Sequence, residues 1–263
     1  PWLFGEGAPT KLAHAALTRM LGYGKTVAIG EAIEHHPAPM IMDEMAGLLA
    51  KDLSVTGLDT IPRQGPALIV ANHPTGIADG IMMWSALSAI RPDLFFYANS
   101  DIIRVLPQMA QIIAPVEWRP EKRSHGKTRE TMAYTRKAIA EGRLGVIFPS
   151  GRLAKRRGLR LYERPWMSSA AMIARKFDLP VIPVNIRARN SVLFYLFDLL
   201  HPTLRDITLF HETLNKGRQP YEITFGPSIS PSALPAKSDE GIAMLREATL
   251  ALGGRHAPTV SLL

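Results

Sequence analysis

The sequence predicts an α/β domain with a mixed, largely parallel sheet flanked by helices, preceded by a short N-terminal helical layer. Three observations predict it. From Leu53 onward, short β-rich runs alternate with helical stretches, the pattern of strands joined by helical crossovers. Hydrophobic residues make up 46% of the chain and charged residues 21%, the balance of a polypeptide with a sizeable core. No repeat, low-complexity tract or linker divides the 263 residues. We expect a helical segment over 1–52 and one domain over 53–263.

In the first segment, Leu12, Ala15, Ala16 and Leu21 suit a helix that takes Thr10 as its N-cap and stops at Gly22 and Gly24. A second helix is expected from about Pro37 to Lys51, with Met40, Met42, Met45 and Leu48 among its apolar positions. These helices either face lipid or pack on the main domain through the same Met and Leu side chains. The strand runs are Leu53–Thr56, Ala67–Ala71, Leu94–Tyr97, Ile112–Val116, Gly145–Phe148, Val181–Ile186 and Tyr221–Phe225. Helices are expected between them at about Ile77–Ile90, Thr128–Glu141, Met167–Phe177 and Ser238–Leu252. In sheets of this kind ligands sit beyond the carboxyl ends of the strands, so chemistry is sought in the residues just after each one.

The chain has no cysteine. A disulfide framework, Cys-ligated zinc, an iron–sulfur cluster and a cysteine acyl-enzyme are therefore excluded. With 31 Lys+Arg against 23 Asp+Glu the net charge is +8, which favours anionic partners: nucleic acid, an anionic membrane face, or an acidic substrate or carrier protein. The most apolar run, Val192–Leu200, is broken by Asp198 and followed by His201-Pro202, well short of the roughly 18 residues that a spanning helix needs.

Three strand exits carry candidate chemistry. After Ala67–Ala71 comes Asn72-His73-Pro74-Thr75-Gly76-Ile77-Ala78-Asp79, with His73 in a turn and Asp79 in or near the first turn of the next helix. Asp79 is placed to accept a hydrogen bond from one imidazole nitrogen and leave the other as a general base. Equally, Asp79 is placed to cap that helix, with His73 an ordinary turn residue. After Gly145–Phe148 the turn Pro149-Ser150-Gly151-Arg152 offers backbone N–H donors, a hydroxyl and a cation. Its sequence is not the G-x-S-x-G of a nucleophile elbow, and a plain turn is the alternative. After Ile112–Val116 comes Glu117-Trp118-Arg119, whose arginine is either a site cation or a solvated surface residue. A basic loop follows the second of these turns, with Lys155, Arg156, Arg157, Arg160 and Arg164. His35-His36 lacks metal-spaced partners and is expected at the surface.

Taken together and in this order, the segments resemble the glycerolipid acyltransferase superfamily of lysophosphatidic acid and glycerol-3-phosphate acyltransferases. His73 and Asp79 match its His…Asp motif, Arg119 its second-motif arginine, Phe148-Pro149-Ser150-Gly151 its third motif, and Val181-Ile182-Pro183-Val184 its fourth. The match runs from about Leu53 to Pro227. Five residues, Pro74 to Ala78, separate His73 from Asp79 where the usual motif has four, giving an H-P-x-G-x-x-D form. Ser150 stands where the usual Phe-Pro-Glu-Gly-Thr-Arg has Glu, and Arg152 falls one place early. That change argues against a glycerol-phosphate acceptor. With Asn190–Tyr195 and Leu214–Gly217, it is more similar to the bacterial haemolysin-like and lyso-ornithine-lipid acyltransferase branch.

The resemblance implies transfer of a fatty acyl group from an acyl-CoA or acyl carrier protein thioester to a hydroxyl of a lysolipid. It implies His73 as base, Asp79 as its orienting carboxylate, backbone N–H groups around Gly151 as oxyanion donors, and Arg119, Ser150, Gly151 and Arg152 in substrate binding. No cofactor, metal or nucleic acid is implied. The expected location is the cytoplasmic face of a membrane, peripherally, with the basic loop and Val192–Leu200 toward anionic lipid or, for the latter, in the core. Two other functions compete: a lipid-ester or thioester hydrolase using the same His/Asp pair, and a non-catalytic binder of anionic membranes or nucleic acid.

Overall fold

A computed structural model describes residues 7–117, 124–254 and 259–261. Three helices come first, α1 (Ala8–Met20), α2 (Tyr23–Ile33) and α3 (Ala38–Leu49). Helix α1 starts on Gly7 rather than Thr10, because Pro9 is tolerated in a first turn whose N–H groups lack partners in any case. The expected stop at Gly22 holds, but the chain re-enters a helix at once. Gly24, expected as part of the stop, lies inside α2. Helix α3 follows Pro37 as expected, and its Ala38, Ile41, Met42 and Leu49 enter the same buried cluster as the strands below.

The body follows in the order β1 (Leu53–Thr56), β2 (Ala67–Ala71), α4 (Ile77–Leu87), β3 (Leu94–Asn99), α5 (Asp101–Val105), β4 (Ile113–Val116), α6 (His125–Ala140) and β5 (Leu144–Ile147). Next come β6 (Lys155–Arg157), β7 (Arg160–Tyr162), α7 (Ser169–Lys176), β8 (Val181–Arg187), α8 (Val192–Leu200), α9 (Pro202–Ile207) and α10 (Leu209–Asn215). Strand β9 (Tyr221–Phe225), α11 (Ser238–Ala251) and β10 (Thr259–Ser261) complete it. Seven strands form the main sheet in the order β1-β9-β8-β2-β5-β3-β4. Every neighbouring pair is parallel except β8 with β9. The predicted mixed, largely parallel sheet flanked by helices is what the chain forms.

All five residues of β2 are buried, as expected of a strand covered on both faces. Ala67, Ile69 and Ala71 point into the core shared with α3 and α4, while Leu68 and Val70 point into the core shared with α6, α7 and α11. Full burial of side chains such as Leu68 and Ile69 contributes roughly 1.5–3 kcal/mol each, which makes the centre of the sheet a rigid floor. At the amino ends of the strands the buried Arg91 forms a rivet. It donates to both carboxylate oxygens of Asp93 (2.8 and 2.7 Å) and to the carbonyls of Pro62 (2.7 Å), Gly65 (3.0 Å) and Gly142 (3.0 Å). Asp93 precedes β3, Gly65 precedes β2 and Gly142 precedes β5, so one guanidinium ties three strand starts together.

Two features differ from the sequence expectation. The basic run read as a loop is an antiparallel hairpin of β6 and β7, with β10 on the far side of β7. Strands of three residues with charged outward positions carry too little hydrophobic alternation to be seen in sequence. The short helices α5, α9 and α10 also went unpredicted, for the same want of a full periodic face.

Candidate active site

The carboxyl end of β2 is closed by a side chain. Asn72 Nδ2 donates to the Ile186 carbonyl (2.8 Å) and Oδ1 accepts from the Ile186 N–H (2.7 Å), so a buried amide continues the β2–β8 ladder by one rung. His73 therefore leaves the sheet at a fixed point. Its carbonyl accepts from the Ala154 N–H (2.9 Å) and its N–H donates to Glu163 Oε2 (3.2 Å). The imidazole stacks on Phe148, at the exit of β5, with ring centroids 4.4 Å apart and planes 23° from parallel.

His73 Nδ1 lies 2.8 Å from Asp79 Oδ2. Asp79 sits in the first turn of α4, fully buried, and five donors surround its carboxylate. Oδ2 accepts from the imidazole and from the N–H groups of Thr75 (3.0 Å) and Gly76 (3.1 Å); Oδ1 accepts from the hydroxyls of Thr75 (2.6 Å) and Tyr221. The two roles foreseen for Asp79 are thus not alternatives. One carboxylate caps α4 and holds the ring. The turn closes this tightly because Gly76 takes φ +99° and ψ −133°, which side chains disfavour, and a Cβ there would stand 2.9 Å from Leu153 Cδ2.

The electrostatics follow from this shell. Burial alone pushes the Asp79 carboxyl up, but the hydrogen bond and charge of His73, with the hydroxyls of Thr75 and Tyr221, outweigh it and leave the group below its ordinary value. Burial, and then the Asp79 charge, hold the Tyr221 phenol well above its ordinary value, so it stays a donor. A carboxylate at Nδ1 fixes the neutral ring with its proton on that nitrogen and the lone pair on Nε2. The His73 side chain is 19% exposed, the Asp79 side chain not at all.

Of the third-motif residues, Ser150 is buried, its hydroxyl donating to the Arg152 carbonyl (2.8 Å) and lying against the Glu163 carboxylate. The Gly151 N–H donates to the Phe148 carbonyl (2.9 Å), so that one of the N–H groups around Gly151 is engaged within the turn. Arg152 is exposed, and Arg119 lies outside the described residues. Glu163 was not foreseen. It is buried at the end of β7, with Oε1 accepting from Trp166 Nε1 (2.9 Å) and Oε2 from the His73 N–H. Burial raises its carboxyl above the ordinary value, and the bonds from Trp166 and the His73 N–H and the charge of His73 offset this only in part. A carboxylate therefore stands beside Ser150. Its signal in sequence was faint: Glu163 is the single acid between Lys155 and Arg164.

Lys216, also unforeseen, is fully buried near enough to Asp79 to feel its charge. Its Nζ donates to the Arg189 carbonyl (2.8 Å), Asn190 Oδ1 (2.7 Å) and Gln219 Oε1 (3.2 Å), and lies 3.7 Å from Glu212 Oε2. Burial lowers its ammonium to about 8 against the opposing charges of Glu212 and Asp79. Glu212 in turn accepts from the N–H (2.7 Å) and hydroxyl of Ser191, the N-cap of α8. This network pins the segment that leaves β8.

The architecture and motifs have counterparts. A family model described as Acyltransferase matches residues 52–187, a span that includes His73, Asp79 and the third-motif turn. A lyso-glycine lipid O-acyltransferase from Phocaeicola vulgatus is 22% identical over 143 residues, 54% of this chain and 50% of that protein. Its namesake from Bacteroides thetaiotaomicron is 21% identical over 143 residues, 54% of this chain and 51% of that protein. The chain thus spans about half the length of these curated relatives. The crystal structure of the 1-acyl-sn-glycerophosphate acyltransferase from Thermotoga maritima shares the fold, with a TM-score of 0.55 at 15% identity over 94% of this chain and 98% of that one. The matched family model covers more than half of the sequence, from the start of the sheet to the end of β8, and the chain belongs to the acyltransferase family.

Proposed function

We propose that the protein O-acylates a lysolipid, with His73 as general base and Asp79 as its orienting carboxylate. The observation that carries this is the His73 Nδ1 to Asp79 Oδ2 contact within a fully satisfied, buried carboxylate shell, which leaves Nε2 as the available base. Nε2 takes the proton of the acceptor hydroxyl as its oxygen attacks the thioester carbonyl carbon. The C–S bond then breaks, and the departing thiolate recovers that proton from Nε2. The step needs no covalent enzyme intermediate and no cofactor, in keeping with a chain free of cysteine.

The acyl donor in this proposal is an acyl-CoA or acyl carrier protein thioester. For the acceptor we favour an amino-acid lysolipid over a glycerol phosphate. The lyso-glycine-lipid activity named for two relatives supports this, as does the third motif that carries Ser150 in place of Glu. Arg152 and Arg119 are assigned to anionic groups of acceptor or donor. Ser150 and Gly151 are assigned to holding their turn against His73. The protein would work peripherally at the cytoplasmic face of an anionic membrane, and nucleic acid has no part in the scheme.

The test is purified protein with radiolabelled acyl thioester and a panel of lysolipids. Labelled diacyl lipid formed by the wild type and lost in His73→Ala is the expected result. Full transfer by His73→Ala refutes the mechanism, and release of free fatty acid at a rate indifferent to lysolipid would make the protein a hydrolase.

A further inference from the structure

Helix α8 is apolar except for Asp198, which pairs with Arg205 (3.1 Å), and the Tyr195 hydroxyl. Phe194, Tyr195 and Phe197 are buried, whereas Val192, Leu196, Leu199 and Leu200 are 82%, 49%, 65% and 63% exposed. Positions four, seven and eight residues beyond the first share one helical face, so the exposed four form a stripe. A contiguous apolar patch of large side chains marks a surface that something covers. None of the described helices is long and apolar enough to cross a membrane, so this one would lie along a surface rather than pass through it.

The β6–β7 hairpin is packed against that helix, Leu161 of β7 sharing a buried cluster with Phe194 and Tyr195 and with Leu153, Ala154 and Leu209 around it. The hairpin carries Lys155, Arg156, Arg157 and Arg160 and no acidic residue. Its two-residue tip is Gly158-Leu159, where Gly158 takes the φ of +60° that such a turn requires. The tip presents Leu159, 58% exposed, between Arg157 and Arg160. An apolar tip flanked by basic side chains, on a hairpin that shares a buried cluster with the helix carrying the apolar stripe, is complementary to anionic head groups over acyl chains. An acidic protein surface would match the charges and leave the leucines facing polar groups.

We propose that α8 and the β6–β7 hairpin together form the face by which this protein docks on an anionic lipid bilayer. The proposal rests on the lysolipid reading above, which makes the bilayer the source of the acceptor. The face is tied to the site: the segment entering the hairpin bonds to the His73 carbonyl through the Ala154 N–H, and Leu153 closes over Gly76. Docking through it would hold the imidazole at a set height over the lipid.

Vesicle flotation tests this, using phosphatidylcholine with and without phosphatidylglycerol. The wild type is expected to float with anionic vesicles and to be weakened by salt. Leu196→Gln/Leu199→Gln/Leu200→Gln should reduce the bound fraction about tenfold at low and high salt alike. Arg157→Gln/Arg160→Gln should lose about fivefold per charge at low salt and little at high salt. Thermal unfolding at the wild-type temperature shows that the variants are folded. Unchanged flotation of the leucine variant overturns the proposal. So does equal binding to neutral vesicles, binding to acyl carrier protein in place of vesicles, or a wild-type dimer that the leucine changes dissolve. Wild-type transfer to a short-chain, monomeric lysolipid without vesicles is measured separately: if it is absent while anionic flotation persists, the acyltransfer reading falls and the docking face stands.

Discussion

The hydroxyl of Tyr221 on β9 donates to Asp79 Oδ1 on α4 across 142 positions of sequence, joining a strand that runs antiparallel to its neighbour β8 to the His73–Asp79 pair. The Thr75 hydroxyl meets the same oxygen and lies 3.0 Å from the phenol. In the proposed scheme Tyr221 is thus a positioning residue. Tyr221→Phe keeps the ring and removes one donor to a buried carboxylate, which should cost about 1–3 kcal/mol in denaturant unfolding. In kinetics we expect a several-fold fall in kcat with KM little changed, and an acid limb of the rate profile moved to higher pH. A wild-type profile with only the stability loss would reduce Tyr221 to a structural role.

In the proposed scheme Asp79 couples catalysis to folding. Its folded value lies below the ordinary 3.8, so the stability it contributes is present above that value and is lost as pH falls through the lowered one. Asp79→Asn should therefore be less stable than wild type at neutral pH, and the difference should shrink on acidification below about pH 4. The amide also presents the wrong partner to Nδ1, and transfer should fall by about 10²–10⁴-fold. Parallel acid titrations of unfolding and single-turnover rates separate the two effects.

Glu163 has the opposite sign. Its folded value is raised, so the folded state binds the extra proton and stability declines as pH climbs from the ordinary glutamate value through the raised one. Glu163→Gln should flatten that decline. It should also leave either the His73 N–H or Trp166 Nε1 without an acceptor, since one oxygen remains for two donors, at a cost of about 1–3 kcal/mol at acid pH. Urea unfolding at several pH values tests both; a slope identical to wild type across the weakly acidic range refutes the assignment.

The Lys216–Glu212 pair is buried on both sides. Removing either partner alone, as Lys216→Met or Glu212→Leu, strands a charge and should destabilise by about 3–5 kcal/mol, whereas the double change should cost less than their sum. Because the ammonium is lowered to about 8, wild-type stability should gain a component as pH rises from about 8 toward the free-lysine value of 10.5, absent in Lys216→Met. Thermal unfolding over that range reads it directly.

Much of the fold was legible because its strands are short apolar runs bounded by turn residues: β2, β5 and β8 lie within a residue or so of their expected limits. His73 and Asp79 were legible because one turn brings them together. Tyr221 and Glu163 were not, because each reaches the pair from a distant strand, and the local pattern of a tyrosine in a strand or a glutamate in a basic run carries no mark of where its tip will go. The hairpin escaped because three-residue strands derive their order from the cluster with α8, which is a tertiary property. That the Gly151 N–H bonds within its own turn depends on backbone direction and not on residue type.

Arg91 sits at the far end of the sheet from His73, and that separation has an evolutionary consequence. With the starts of β2, β3 and β5 anchored by one buried cation, the loops at the opposite rim are free to vary in length and chemistry without loosening the strands that carry them. A change in the length of the turn between His73 and Asp79, or in which loop carries a buried carboxylate, is the kind of change such a scaffold tolerates, so the chemistry of the site can be altered at the rim alone.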